Sequence, residues 1–240
     1  MTKLSVNVNK LATLRNARGG NNPDVSAWSV AIEKMGVHGI TVHPRPDGRH
    51  IRFSDVRDLS EIVVGEFNVE GYPDEAWIAL VNEVSPAQAT LVPDPPDAIT
   101  SNAGFDVGKS RDFLADVCRK LPGIRISVFI DPSNFSEADA RNLKLIGVHR
   151  IELYTEKFAT HFDQRDAEEI TSIYVRAAEL ARDVGLGVNA GHDLTAENLP
   201  WLLKAIPWID EVSIGHALIC DALENGMKET VRRYLTAVSR

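Results

Sequence analysis

The strongest constraint on the fold is an alternation that recurs along all 240 residues. Short runs with strand character are each followed by a stretch of helical periodicity or a helix-capping pattern. The runs are SVNVN at 5–9, GITV at 39–42, FNVEG at 67–71, QATLVP at 88–93, ISVFID at 126–131, RIELYTE at 150–156, GVNAGH at 187–192 and EVSIGHA at 211–217. Between them, helices are expected from Asp24 to Gly36 and near residues 54–64, 73–84, 111–121, 136–147, 166–184, 197–206 and 221–238. Residues 11–24, broken by Gly19-Gly20 and Asn22-Pro23, read as a long connection, as does the polar stretch 93–108. Eight strand–helix units predict an α/β fold, a TIM-type (β/α)8 barrel with short extra helices in its loops, forming one domain over 1–240. A doubly wound sheet is the structural alternative, but no G-x-G-x-x-G follows an early strand.

The strand faces carry a functional signal. Strands of a parallel barrel are buried on both sides and should be almost wholly apolar. Here Val6 and Val8 alternate with Ser5, Asn7 and Asn9, Phe67 and Val69 with Asn68 and Glu70, Ile151 and Leu153 with Glu152 and Tyr154, and Val212 and Ile214 with Ser213 and Gly215. The apolar set must face the helices, so the polar set faces the lumen. Buried polar groups cost a few kcal/mol each unless partnered. A polar lumen opening onto a working mouth accounts for so many of them.

Of the seven histidines, His43, His192 and His216 follow strands two, seven and eight, and His50 lies in the loop after strand two. That rim is where barrels of this type place their active sites. His38 and His149 precede strands and belong to the opposite rim, where a structural role suits them; His161 is ambiguous. Glu70 and Glu152 end strands three and six on the functional rim, where carboxylates and imidazoles can divide acid and base work. Arg15, Arg18, Arg45 and Arg49 lie in the first two strand-to-helix loops, and Gly191 and Gly215 end strands seven and eight. Guanidinium forks and close-approaching backbone N–H groups both hold phosphate. The residues therefore point to phosphorylated substrates.

The net charge of −8 argues against nucleic acid or an anionic membrane as partner, and no apolar run is long enough to span a bilayer. The N-terminal segment lacks the apolar core of a signal peptide, and Cys118 and Cys220 form no metal or redox motif, so a cytoplasmic protein with reduced thiols is expected. His and Glu could together bind a metal, but no H-x-H or H-x-x-x-H spacing supports it, and neither metal nor cofactor is expected. A Schiff-base aldolase would require a rim lysine, for which Lys10 is the candidate, and a phospho-metabolite-binding protein is a further alternative.

Taken together and in order, ATLRNARG at 12–19, GITVHPRPDGRHI at 39–51, NVEG at 68–71, LVPD at 91–94 with Thr100, VNAGH at 188–192 and IGHA at 214–217 resemble the pyridoxine 5′-phosphate synthase family of vitamin B6 biosynthesis. The resemblance implies condensation of 1-deoxy-D-xylulose 5-phosphate with 3-amino-2-oxopropyl phosphate, with loss of phosphate and water as a pyridine ring closes. It implies His43, Glu70 and His192 as acid/base residues; the strand-end reading adds Glu152 as a fourth candidate at the mouth. It further implies Asn7, Arg18, Gly215 and His216 around the aminoketone phosphate, and Arg45, His50 and Thr100 around the pentulose phosphate. The long loop after strand four resembles a lid, and a homo-oligomer, an octamer built from dimers, is implied. The chain departs from the family pattern at Asn9-Lys10, where Asp-His is usual, at Asp193, where glycine is usual, and at Cys220-Asp221. Lys10 is expected to serve as a phosphate ligand in compensation.

Overall fold

The structure, a computed structural model, describes residues 1–93 and 104–239. Its strands are β1 (Lys3–Asn7), β2 (Gly39–Val42), β3 (Glu66–Gly71), β4 (Gln88–Leu91), β5 (Arg125–Ile130), β6 (Arg150–Tyr154), β7 (Gly187–Gly191) and β8 (Glu211–Ile214). All pair in parallel and in chain order. The barrel closes where β1 meets β8, with Leu4 opposite Val212. The outward set, including Leu4, Val6, Ile40, Val69, Ile151, Leu153 and Val212, is buried under the surrounding helices.

Helix starts follow local chemistry. α1 spans Asn9–Arg18 and α2 spans Val25–Lys34, the latter capped by Asp24, whose carboxylate accepts the Ala27 N–H at 2.9 Å. α3 (Phe53–Ser60) is followed by α4 (Glu75–Val84), where Asp74 accepts from the Trp77 N–H at 2.8 Å. Beyond α5 (Val107–Lys120), α6 (Glu137–Leu145) begins with a reciprocal Ser136–Asp139 capping box. The remaining helices are α7 (Glu156–His161), α8 (Ala167–Asp183), α9 (Leu199–Ala205), α10 (His216–Asn225) and α11 (Met227–Val238).

Two expectations need correction. Residues 9–18 are helical rather than a connection: Asn7 Oδ1 takes the Asn9 N–H at 3.0 Å, and Leu11, Ala12 and Arg15 are buried along one side. The mixed sequence and the Gly-Gly that ends the helix hid this short stripe. The terminal helix is two helices, starting at His216 and broken at Gly226, whose φ of 77° is a left-handed conformation natural to glycine. The loop expected to act as a lid lies largely outside the described residues, as does Thr100.

The lumen is largely polar, with Phe129 of β5 as an apolar exception level with Glu152. Near its floor, Gln88 Oε1 accepts from Arg125 Nε (3.0 Å), Arg150 Nη1 (3.3 Å) and Asn189 Nδ2 (3.3 Å), while Gln88 Nε2 donates to Glu211 Oε1 (3.3 Å). One layer up, the Ser5 and Thr41 hydroxyls lie 2.7 Å apart and Thr90 donates to Asn68 at 3.0 Å. These side chains satisfy one another, which removes much of the desolvation cost of a polar lumen. His38 and His149 sit at the opposite rim and accept the N–H groups of Leu4 (3.1 Å) and Ile126 (3.0 Å) through Nδ1.

Candidate active site

At the C-terminal mouth, the strand ends and the loops after them enclose a cavity of about 550 Å³. His43, Glu70, Glu152 and His192, separated by up to 149 positions of sequence, all line it. So do Asn7, Asn9, Lys10, Arg45, His50, Asp193, Gly215 and His216.

Backbone and side-chain hydrogen bonds tie these groups together. The His43 N–H donates to Asn9 Oδ1 at 2.9 Å, which anchors the residue leaving β2 to the start of α1. Asn7 Nδ2 reaches Glu70 Oε2 at 3.4 Å and Ser213 Oγ reaches Glu70 Oε1 at 3.5 Å, so β1 and β8 both hold the Glu70 carboxyl. His43 Nδ1 lies 3.9 Å from Glu70 Oε2, too far for a direct hydrogen bond. Glu152 is buried and packs against Gly191; a Cβ at 191 would stand 2.4 Å from Glu152 Oε1. A side chain at 191 would therefore displace the Glu152 carboxyl, and Gly191 is not among the residues lining the cavity.

His192 and Asp193 follow β7 with φ of 77° and 56°. Left-handed backbone at residues other than glycine costs of order 1–3 kcal/mol each and clusters at functional sites. The His192 imidazole is held between Phe129 (ring centroids 4.9 Å apart) and Tyr154 (5.2 Å, edge-on). In the loop after β2, His50 Nδ1 accepts the Ile51 N–H at 2.9 Å, which leaves the proton of the neutral ring on Nε2. Arg49 bonds Asp47 through Nε at 2.7 Å. Across β1 from this basic loop, α10 starts at the mouth after β8, and the N–H groups of its first turn lack intrahelical acceptors.

Burial dominates the site's proton affinities. It lowers the His43 pKa to about 3, aided by the neighbouring His50, Arg45 and His192. It lowers His50 to about 4, with Arg45 next in effect, and pulls His192 down as well. The same burial, reinforced by the Glu211 charge beneath, raises Glu70 to about 8. Glu152 is raised well above the ordinary carboxylate range by burial and then by Glu70 and Glu211. At neutral pH His43, His50 and His192 are thus neutral, beside largely protonated Glu70 and Glu152.

Not every residue named from sequence converges here. Arg18 sits exposed on the last turn of α1, outside the cavity lining. Arg15 is buried in a paired contact with Asp55 (2.6 and 2.8 Å), so it braces α1 against α3 instead of facing the mouth. Conversely, Thr13, Tyr154 and Ser213 line the cavity without having been singled out as site residues. Tyr154 and Ser213 were legible as lumen-facing by two-residue alternation from Glu152 and Gly215, and the same alternation reaches Glu211. Thr13 depends on the unforeseen helix α1. Among the described residues, no group of three or more His, Cys, Asp or Glu side chains could hold a metal ion.

A family described as pyridoxal phosphate biosynthesis protein PdxJ matches residues 4–240. The pyridoxine 5′-phosphate synthase of Cytophaga hutchinsonii is 51% identical over 242 residues, covering 100% of each chain. That of Parabacteroides distasonis is 52% identical over 239 residues, covering 98% of each. Among solved structures, tryptophan synthase from M. tuberculosis aligns with a TM-score of 0.63 at 12% identity over 99% of this chain and 93% of that one. A phosphoribosylanthranilate isomerase from Thermotoga maritima aligns at 0.60 and 12% identity over 100% and 99%, a likeness of fold alone. By the family match and these relatives, the chain belongs to the PdxJ family of pyridoxal phosphate biosynthesis proteins.

Proposed function

We infer that this chain is a pyridoxine 5′-phosphate synthase, condensing 1-deoxy-D-xylulose 5-phosphate with 3-amino-2-oxopropyl phosphate and closing the pyridine ring with release of phosphate and water. The observation that carries the reading is the mouth itself, where His43, His192, Glu70 and Glu152 meet beside a basic loop and a helix N-terminus. Membership of the family and relatives of that name at about half identity over their full length support it.

The chemistry asks for this arrangement. An amine adds to a ketone and water leaves, then further water and phosphate depart, each step moving a proton onto or off the adduct. His43, neutral because buried, is the base nearest Glu70, and Glu70, protonated for the same reason, can supply a proton to a leaving oxygen. His192 supplies a second neutral imidazole from the far side, and Glu152 a second protonated carboxyl. Arg45, His50 and Lys10 flank one side and hold one phosphate; the first turn of α10, from Gly215 and His216, holds the other with Asn7. Asp193 and Asn9 border the phosphate sites. Arg18 and Thr100 belong to this set through the family resemblance. Fixing both substrates removes much of the entropic barrier to their condensation.

No resident cofactor or metal enters this account. No helix among the described residues is long and apolar enough to cross a membrane, and both cysteines are free, in keeping with a cytoplasmic enzyme. The 1–240 chain acts as one barrel unit and assembles as a homo-oligomer, an octamer built from dimers, which sedimentation of the purified protein tests directly. Incubation with both phosphorylated substrates should yield the ring product and one inorganic phosphate per turnover. Tight binding of either substrate without turnover would make the chain a binding protein instead.

A further inference from the structure

β6 ends in Tyr154, and the next residue, Thr155, is fully buried. Its hydroxyl donates to the Gly191 carbonyl at 2.6 Å, and the His192 carbonyl lies equally within its reach. Its own N–H donates to the same Gly191 oxygen at 3.0 Å. In an extended strand, successive carbonyls point to opposite sides. Here two successive carbonyls converge on one hydroxyl because His192 takes a φ of 77°. The hydroxyl's one proton is shared between the two carbonyls, which ties the Gly191 and His192 peptides together in the left-handed conformer; an extended His192 would leave it Gly191 alone.

The other end of the corner is gripped separately. Asn198 Nδ2 donates to the Asp193 carbonyl at 3.1 Å, and Asn198 Oδ1 accepts the Thr195 N–H at 2.9 Å. Two non-glycine residues thus hold a costly backbone between two side-chain clamps, and the corner sets where the imidazole of His192 enters the cavity. Phe129 and Tyr154 restrict the ring, but they cannot choose the backbone that carries it.

We propose that Thr155 is a positioning residue for His192, its hydroxyl selecting the left-handed corner that aims the imidazole at the substrates. The assignment rests on the reading of His192 as a proton-transfer residue. Loss of the hydroxyl frees the corner to relax, and small misplacements of a catalytic group cost up to about 100-fold.

The test is a cycle of Thr155→Val and Thr155→Ser, each alone and combined with His192→Asn, followed by steady-state formation of the ring product. Thr155→Val should lower kcat by roughly 10- to 100-fold while KM for both substrates stays nearly unchanged, and Thr155→Ser should restore most of the loss. On the His192→Asn background, Thr155→Val should cost no more than about twofold, since it acts through a group already removed. An unimpaired Thr155→Val, an equal loss on both backgrounds, or equal impairment of the Val and Ser variants overturns the proposal. If Thr155→Val does not fold, Thr155→Ala takes its place; failure of both to fold shows that the hydroxyl serves the fold, which also overturns it. An inactive wild type or an unimpaired His192→Asn removes the underlying reading. An unimpaired Thr155→Val beside an impaired His192→Asn removes the role of Thr155 alone.

Discussion

His43 Nδ1 and Glu70 Oε2 stand 3.9 Å apart in the barrel mouth, and burial drives both toward their uncharged forms. A neutral imidazole beside a neutral carboxyl can take one proton and give another without first creating a buried charge. Two β-strands contribute to the pair: His43 leaves the end of β2, and Glu70 sits on neighbouring β3.

This pairing fixes a pH dependence. His43, lowered to about 3, stays a free base across the neutral range, whereas Glu70, raised to about 8, loses its proton as pH passes that value. The kcat/KM profile should therefore fall on its alkaline side near pH 8, and the residual activity of Glu70→Gln should lack that limb. Glu211→Gln removes a negative charge from beneath Glu70 and should move the limb to lower pH. A limb unchanged in both variants would exclude Glu70 as its source.

Stability should carry the same signature. The unfolded Glu70 ionises near the ordinary carboxylate value and the folded one only near 8, so the folded state binds the extra proton in between. Stability associated with this group is then complete below the unfolded pKa and is lost as pH rises toward 8. The melting temperature of Glu70→Gln relative to wild type should climb from pH 5 to pH 9. A constant difference across that range would show that Glu70 ionises normally.

The two strand-end glycines should respond unequally to alanine. At Gly191 a Cβ meets the Glu152 carboxylate at 2.4 Å, whereas at Gly215 the nearest atom, Asn7 Cβ, is 3.0 Å away. Gly191→Ala must displace Glu152 and should lower kcat by about 10-fold or more. Gly215→Ala crowds Asn7 by tenths of an ångström and should chiefly raise KM for one phosphorylated substrate. Steady-state kinetics with each substrate varied in turn separate the two; the reverse ranking would contradict the packing.

Arg15 and Asp55 form a buried, two-pronged ion pair between α1 and α3, and Asp55 also accepts the Arg52 N–H at 2.8 Å. Breaking it from one side leaves an uncompensated buried charge, so Arg15→Met should cost about 3–5 kcal/mol in denaturant unfolding. Where the variant remains folded, any rise in KM should be confined to the substrate whose phosphate the His50 loop holds, because Arg15 does not line the cavity but donates to the His50 carbonyl at 3.3 Å.

The legibility of this fold has a physical origin. Because the lumen is polar, β1, β3, β6 and β8 announce their faces by strict alternation, which an apolar barrel would have concealed. Strand ends then located His43, Glu70, Glu152 and His192 at one mouth. What stayed hidden depends on geometry that no local pattern encodes. Arg15 and Arg18 occupy the same ten-residue helix, yet one turns inward to Asp55 and the other is exposed, and their shared residue type could not separate them. The left-handed corner at His192-Asp193 was equally silent, since neither residue is glycine and its support comes from Thr155 and Asn198, elsewhere in the chain.

The most direct measurement is turnover of both phosphorylated substrates by the wild type and by His43→Asn, Glu70→Gln and His192→Asn, with product and released phosphate followed together. Each variant should lose on the order of 100-fold or more in kcat while still binding substrate, as expected when a positioned acid or base is removed. Near wild-type turnover in all three would show that the chemistry is done elsewhere.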